Sequence, residues 1–592
     1  MDATSDLIRT RRIVMAAFGL VAGLAAYAIA EVLPDLLVDG RLRLALSAFG
    51  VVFFSATLAM AGPISLMHAA AGGALAGTVL AAFLTWASLR FDGVGPFLET
   101  GHPITAASVA LAVFLPFWIA GARPGGGWSD YVALFDAAWR IVLRYIVAGL
   151  FVLVAWAMIF LGDSLLGVVG IKVIGDVIAI DWVPYAISGA VFATAIAIVE
   201  EFADTVSPYL PLRLLRLVLP PLVAVTGLFL VALPFRGLSG LFGSLSSAGV
   251  LMSVAVTGIT LVSVAADRTD EDATSSPALR VSARLMALFL PLLGGLAVWA
   301  IAIRVGQYGW SPDRVAGMTA ALACTAYGLG YAAATLSGPA WMARLRQVNV
   351  PLALMLGATG LVWLTPVIDA QRISAQSQLA RFERGDVGPD GLDLWSLRQE
   401  WGRAGTVVLA ALTDPAHPRA DEIDDRLAQL AEATDRYSFE ATLPPAARAA
   451  LIESLLADLI IRPEGAALPP GVMDGVPVPD LRRWHAACGR LTPAGHPGCV
   501  ALLVDLLPAE QGDEIVLFTL IDAELANLTA LVPARAGSEG EGALVKPVEL
   551  VGDFSEVGQP RTLDRIVEGD FTVLPLPLNA LGIGGSTVFL LP

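Results

Sequence analysis

The sequence predicts a polytopic α-helical membrane bundle of about 11 transmembrane helices, followed by an extramembrane α+β domain. Three observations point there. Of 592 residues, 56% are hydrophobic and only 15% charged, against roughly 25% charged in a soluble globular chain. The apolar residues before position 369 fall into runs close to the roughly 20 residues that a helix needs to cross about 30 Å of hydrocarbon. Charge is also divided: residues 1–368 hold 20 acidic and 20 basic side chains while 369–592 hold 33 and 17, so the net charge of −16 belongs to the last third. An acidic tail disfavours nucleic acid, and no such partner is expected, because phosphate binding needs a basic footprint.

The expected spans of the bundle, 1–368, are 13–30, 44–62, 66–88, 103–122, 145–162, 182–199, 217–235, 241–265, 285–303, 315–337 and 350–368. The first carries RTRR before its apolar run and no small-residue cleavage site, which fits a start anchor rather than a removable signal peptide. With the N-terminus inside, cytoplasmic segments hold 13 Lys and Arg and the opposite side 7, the excess on cytoplasmic loops that sets orientation. An odd number of spans then makes the C-terminal domain periplasmic. Residues 163–181 are apolar enough to compete as a twelfth span. That reading would bury Lys172 and Asp176 near the bilayer centre, at about 2.5–3.5 kcal/mol each, and it erases the charge bias. An interfacial helix over 163–181 is expected instead.

No Asp, Glu, Lys or Arg falls in the middle of an expected span, which argues against the ionisable relays of proton-coupled transporters and pumps. The candidate polar interfaces lie at span ends. One groups Glu200, Glu201 and Asp204 with Arg213 and Arg216 in the corner VEEFADTVSPYLPLRLLRL; it reads as a solvated corner with local ion pairs, or as a docking or cation site. The other is Gln307, Asp313 and Arg314 in IRVGQYGWSPDRVAG, where Ser311 is a natural N-cap, Pro312 suits the first helical position and Asp313 complements the helix N-terminus. Residues 237–260, dense in Gly, Ser and Thr, read as a close-packed helix or a polar cleft for a lipid.

RVGQYGWSPDRV, with PLRLLRLVLPPLV and the later ISAQSQLARFERGDVGPDGLDLWSLRQEWGRAG, resembles the bacterial multi-pass proteins grouped as domain of unknown function 4153, over roughly residues 130–405. The resemblance implies an inner-membrane protein with a C-terminal extramembrane part and implies no catalytic residues.

The tail divides into a helical part, 369–465, and a strand-rich part, 466–592, in which CVALLVDLL and EIVLFTLI read as a hairpin and ALVKPVELVG, FTVLPLPL and STVFLLP as further strands. HAACGRLTPAGHPGC holds two of the three cysteines. In an oxidising compartment Cys488 and Cys499 pair; zinc held by His485, Cys488, His496 and Cys499, or unpaired thiols, are the alternatives. Cys324 reads as a packing residue within a span. No G-x-S-x-G elbow, Walker loop, H-E-x-x-H or dinucleotide fingerprint occurs, so no enzyme and no cofactor is expected. The expected partners are the lipid bilayer and an envelope protein or lipid-linked molecule. The sequence therefore reads as a non-enzymatic scaffold, sensor or assembly factor of the envelope, with a transporter or flippase for a hydrophobic or lipid-linked substrate as the alternative.

Overall fold

A computed structural model describes the chain except residues 1, 124–126, 203–209, 237–246, 415–416, 418, 442, 444, 507–512, 522–525, 533–543, 547–548, 553–558, 576–578, 584–585 and 590–592. Among the described residues, eleven helices are long and apolar enough to cross a membrane: α1 Asp2–Tyr27, α2 Gly40–Met60, α3 Leu66–Ser88, α4 His102–Ala122, α5 Tyr131–Val168, α6 Trp182–Phe202, α7 Leu219–Arg236, α8 Ser247–Ala266, α9 Pro277–Tyr308, α10 Pro312–Leu336 and α11 Trp341–Trp363. The protein is a multi-pass membrane protein. The end at which α1 begins is called proximal below, and the other end distal.

Side-chain caps set several starts. Asp39 accepts from the backbone N–H groups of Arg41 and Leu42 ahead of α2, Ser65 from His68 in α3, Asp130 from Val132 in α5 and Ser311 from Arg314 in α10, each satisfying donors that a helix start leaves free. Small residues set the closest crossings. A Cβ at Gly19 or Gly189 would meet the backbone of the other, so α1 and α6 touch through glycine. Gly328 of α10 likewise lies against the backbone at Leu290 and Pro291 of α9. In the small-residue stretch, 237–246 lies outside the described residues, and Gly258 of α8 packs on Met286 of α9. One apolar core joins α7 to α11, a second joins α1 to α6, and a third spans α2, α3, α4 and α11.

Helix and span boundaries differ where arginine sits near a helix end. Expected to start at 145, the fifth crossing helix begins at Tyr131; expected over 350–368, the last runs Trp341–Trp363. Arg144 and Arg346 lie inside these helices because each finds partners there, described below. Residues 163–181 do not form one interfacial helix. They hold the last turn and a half of α5, a turn with Gly170 at φ 80°, and a six-residue helix Val173–Ile178. Six residues span only about 9 Å, far short of a crossing.

Two compact units divide the chain, and the division does not fall at 368. Residues 1–232, 246–381 and 396–410 form the first unit, and 233–245, 382–395 and 411–592 the second. The reason lies in α12, Ala370–Glu383, whose polar face hydrogen-bonds the turn before α10.

In the second unit a five-stranded sheet runs in the order β1 Ile460–Arg462, β2 Cys499–Val504, β3 Glu514–Leu520, β4 Ala526–Val532 and β5 Leu544–Lys546. β1 is parallel to β2 and the other neighbours are antiparallel. β6 Glu549–Gly552, β7 Thr572–Pro575, β8 Asn579–Ile583 and β9 Ser586–Phe589 form a second sheet, ordered β6-β9-β8-β7. Every residue of β3 is buried, which requires cover on both faces. One cover is Val478–Cys488, here α13, with Trp484 fully buried over Ala501, Ile515 and Leu517. The other is Pro560–Val567, α14, whose Leu563 and Ile566 meet Val500, Leu502 and Phe518. The helical and strand-rich parts therefore interleave instead of meeting at 465, because β1 is recruited as the parallel edge of β2.

Candidate functional site

In the bundle, α4, α5, α8, α10 and α11 line a side-opening cavity of about 510 Å³, within the ~300–1,000 Å³ of small-molecule sites. Its walls are apolar, with Phe117, Phe135, Trp139, Ile259 and Leu356 among them. Towards the proximal end it carries a hydrogen-bonded chain built from four helices. The Ser263 hydroxyl lies 2.6 Å from the fully buried Tyr331 hydroxyl, which donates to Asn349 Oδ1 at 2.5 Å. Asn349 Nδ2 in turn donates to the Tyr131 hydroxyl at 3.3 Å and to Ser263 at 3.4 Å. Tyr327 stands edge-on to Tyr331, with ring centroids 6.0 Å apart. A network so placed is held because an unpaired polar group in an apolar interior is costly.

Ion pairs close the proximal end. Glu200 meets Arg144 at 3.2 Å and Arg140 at 4.0 Å, and Arg144 also donates to the carbonyls of Ala59 and Ala61 at the end of α2. Glu201 accepts from Arg12 Nε at 3.0 Å. Arg216 is buried; it pairs with Asp267 and donates to the carbonyls of Val264 and Asp272. Asp267 takes the left-handed φ of 49° just past α8, which Asp tolerates better than most residues. Burial raises its carboxyl above the ordinary value, against the Arg268 backbone N–H and the Arg216 charge, which favour the ionised form. Arg268 bridges Asp136 of α5 and Asp272 at 3.4 and 2.8 Å, and Arg346 pairs with Asp270. The corner expected from sequence thus splits: Glu200 and Glu201 bind one set of arginines, Arg216 another, Arg213 is exposed, and Asp204 lies outside the described residues.

Distal contacts are of a different kind. Gly309, at φ 76°, ends α9. Arg381 of α12 donates to the Gln307 carbonyl at 2.8 Å, Gln378 to the Tyr308 carbonyl at 3.1 Å, and the Trp310 N–H to Ser377 Oγ at 3.1 Å. Arg314 donates to the Gly309 carbonyl at 2.8 Å and lies over the Tyr308 ring. Asp313 pairs with His102 at 3.1 Å. Gln307, Asp313 and Arg314 are therefore engaged in holding α9, α10, α4 and α12 together, and the stretches GQYGWSPDR and SAQSQLAR meet in one contact.

In the second unit Cys488, the last residue of α13, and Cys499, the first of β2, form a disulfide with Cα atoms 4.7 Å apart. The two histidines of that stretch turn elsewhere. His485 Nε2 is 2.8 Å from Ser454 Oγ, and His496 Nδ1 is 3.0 Å from Asp564. The four side chains therefore do not converge as ligands, and no three His, Cys, Asp or Glu side chains among the described residues form a metal cluster.

Sequence reading missed the cavity and the acidic loop 267–272. Tyr131, Ser263, Tyr331 and Asn349 are too far apart in the chain to form a motif; the signal available was Asn349 itself, the bundle's one asparagine, beside an apolar run. No family model and no curated protein matches the chain, and no solved structure matches it.

Proposed function

We propose that this multi-pass protein is a non-enzymatic component of a bacterial inner membrane, a scaffold, sensor or assembly factor that presents its C-terminal domain in the periplasm to an envelope partner. One observation carries the reading: charges that could serve a conduction path are spent tying helix ends together, Arg144 to Glu200, Arg216 to Asp267, Arg268 to Asp136 and Arg346 to Asp270. The 13 to 7 charge bias and the Cys488–Cys499 bond support the periplasmic placement, since disulfides persist in oxidising compartments. The likeness of GQYGWSPDR and its α12 partner to the domain of unknown function 4153 proteins supports the membrane. Alkaline phosphatase fused after residue 592 should be active, and denatured, unreduced protein should show one reactive thiol, Cys324. An inactive fusion with three reactive thiols overturns the placement.

The cavity favours a second reading, a transporter or flippase for a hydrophobic or lipid-linked substrate. Full-length protein in liposomes decides between them. Movement of a fluorescent phospholipid and of a lipid-linked saccharide across the bilayer should match protein-free vesicles under the first reading, and acceleration of either replaces it with the second.

A further inference from the structure

We infer that the bundle cavity is a binding site for one uncharged amphiphile, a hydrocarbon chain whose small head offers an ester, amide or hydroxyl oxygen. Several features of the cavity converge on that class. A pocket of about 510 Å³ that is open at its side and bounded by Phe117, Phe135, Ile259 and Leu356 suits an apolar occupant. Among the described residues no Asp, Glu, Lys, Arg or His lines it, so a phosphate, carboxylate or ammonium head would lose its water without gaining a counter-charge.

Depth gives the orientation. The exposed lining residues Ala112, Val256 and Ala320 lie ten, ten and sixteen residues from the proximal ends of α4, α8 and α10, about 15–24 Å along the helices. Ser263, Tyr331 and Asn349 lie three, five and eight residues from theirs, about 5–12 Å. The mouth therefore opens at mid-helix, where hydrocarbon is the solvent, and the polar floor lies nearer a membrane surface. A lipid enters sideways, head towards the floor.

Hydrogen-bond accounting selects an acceptor on the ligand. Ser263, Tyr331 and the Asn349 amide are committed to one another. Tyr131 accepts from Asn349, yet its own O–H has no acceptor among the described residues, and the Tyr327 hydroxyl has no hydrogen-bond partner there either. Two donors without acceptors, facing an apolar chamber, suit a carbonyl or hydroxyl oxygen.

The inference stands apart from the scaffold reading, because binding can occur without transbilayer movement and movement without saturable binding. Its test uses full-length protein in lipid nanodiscs and a monoacylglycerol with a diazirine in mid-chain, with crosslinks mapped by peptide mass spectrometry. Labelling should saturate on the segments around Val256 and Ala320 and be competed by plain monoacylglycerol, with hexadecane and ionised palmitate at least about tenfold weaker. Val256→Trp, which fills the mouth, should lower labelling about tenfold or more. Tyr327→Phe and Tyr131→Phe, each removing one donor with the ring kept, should weaken binding about two- to tenfold; they carry the test if Val256→Trp fails to assemble. Unsaturable labelling spread over the lipid-facing helices, indifference to the tyrosine variants, or palmitate competing as well as the ester overturns the inference.

Discussion

The two ends of the bundle are held by the same residue, arginine, with a different balance of partners: proximally carboxylates are added to backbone carbonyls, whereas distally carbonyls predominate and the Arg403–Asp92 pair is exposed. At the proximal end Arg12, Arg144, Arg216, Arg268 and Arg346 each face a carboxylate. Distally, Arg41, Arg90, Arg314 and Arg381 donate to backbone carbonyls of Phe91, Trp363, Thr365, Gly309 and Gln307. A carboxylate partner makes a strong bond and also a liability, because losing either member strands the other charge. A carbonyl partner belongs to the backbone, so losing the arginine returns a weak acceptor to water or to a neighbour. The proximal end should therefore be sensitive to single charge changes and to acid, and the distal end to backbone geometry.

The largest expected effect is at Arg216. Arg216→Ala leaves Asp267 buried without its counter-charge and should cost about 3–5 kcal/mol, measured as a shift in detergent unfolding of the full chain. The double variant Arg216→Met with Asp267→Asn, which strands no charge, should recover most of that. A loss below about 1 kcal/mol for Arg216→Ala would break the comparison, since the pair would then behave like a surface one.

At the distal end Gly309→Ala should rank next. Gly309 has φ 76° and ψ 179°, a region almost closed to other residues, at about 1–3 kcal/mol; the added methyl would also press on Arg381 and Gln378. Arg381→Ala, by contrast, gives up one bond to a carbonyl and should cost about 1 kcal/mol. If Arg381→Ala proved worse than Gly309→Ala, charge rather than geometry would govern this end as well.

How far the two ends could be read from sequence follows from the same difference. GQYGWSPDR is local: the N-cap Ser311, Pro312 and the turn glycine occupy fixed offsets, so the new helix was legible, although its partner, α12, was not. The proximal pairs are non-local. Arg216 meets Asp267 and Arg268 meets Asp136 across 51 and 132 residues, and nothing in either segment names the other. Spans were legible as apolar runs, but α5 and α11 extend past theirs because Arg144 and Arg346 are paired. Position alone, without a partner, makes arginine look like a boundary. In the C-terminal domain the nearly continuous apolar strands β2 and β3 were plain, whereas β1 is three residues of ordinary composition that only its parallel neighbour turns into a strand.

The smallest expected effect concerns acid. Hydrogen bonds from Arg268 and Thr269 hold the Asp272 carboxyl below its ordinary value, so the folded state binds the proton less readily than the unfolded chain. The sign follows from linkage: the stabilisation is complete above the unfolded pKa of about 3.9 and is lost as pH falls through the lowered folded value. Asp272 is about a third exposed, at 35% of its side chain, so solvent screening keeps the effect small. Near neutral pH, Asp272→Asn should therefore be slightly less stable than the parent, and the gap should close below about pH 4. The sharper readout is local: amide exchange in the loop 267–276 should rise in acid in the parent and lose most of that dependence in Asp272→Asn, while the turn at Gly309 keeps its protection in both. Equal acid sensitivity at the two ends would mean that the carboxylates at the proximal end do not distinguish it from the distal one.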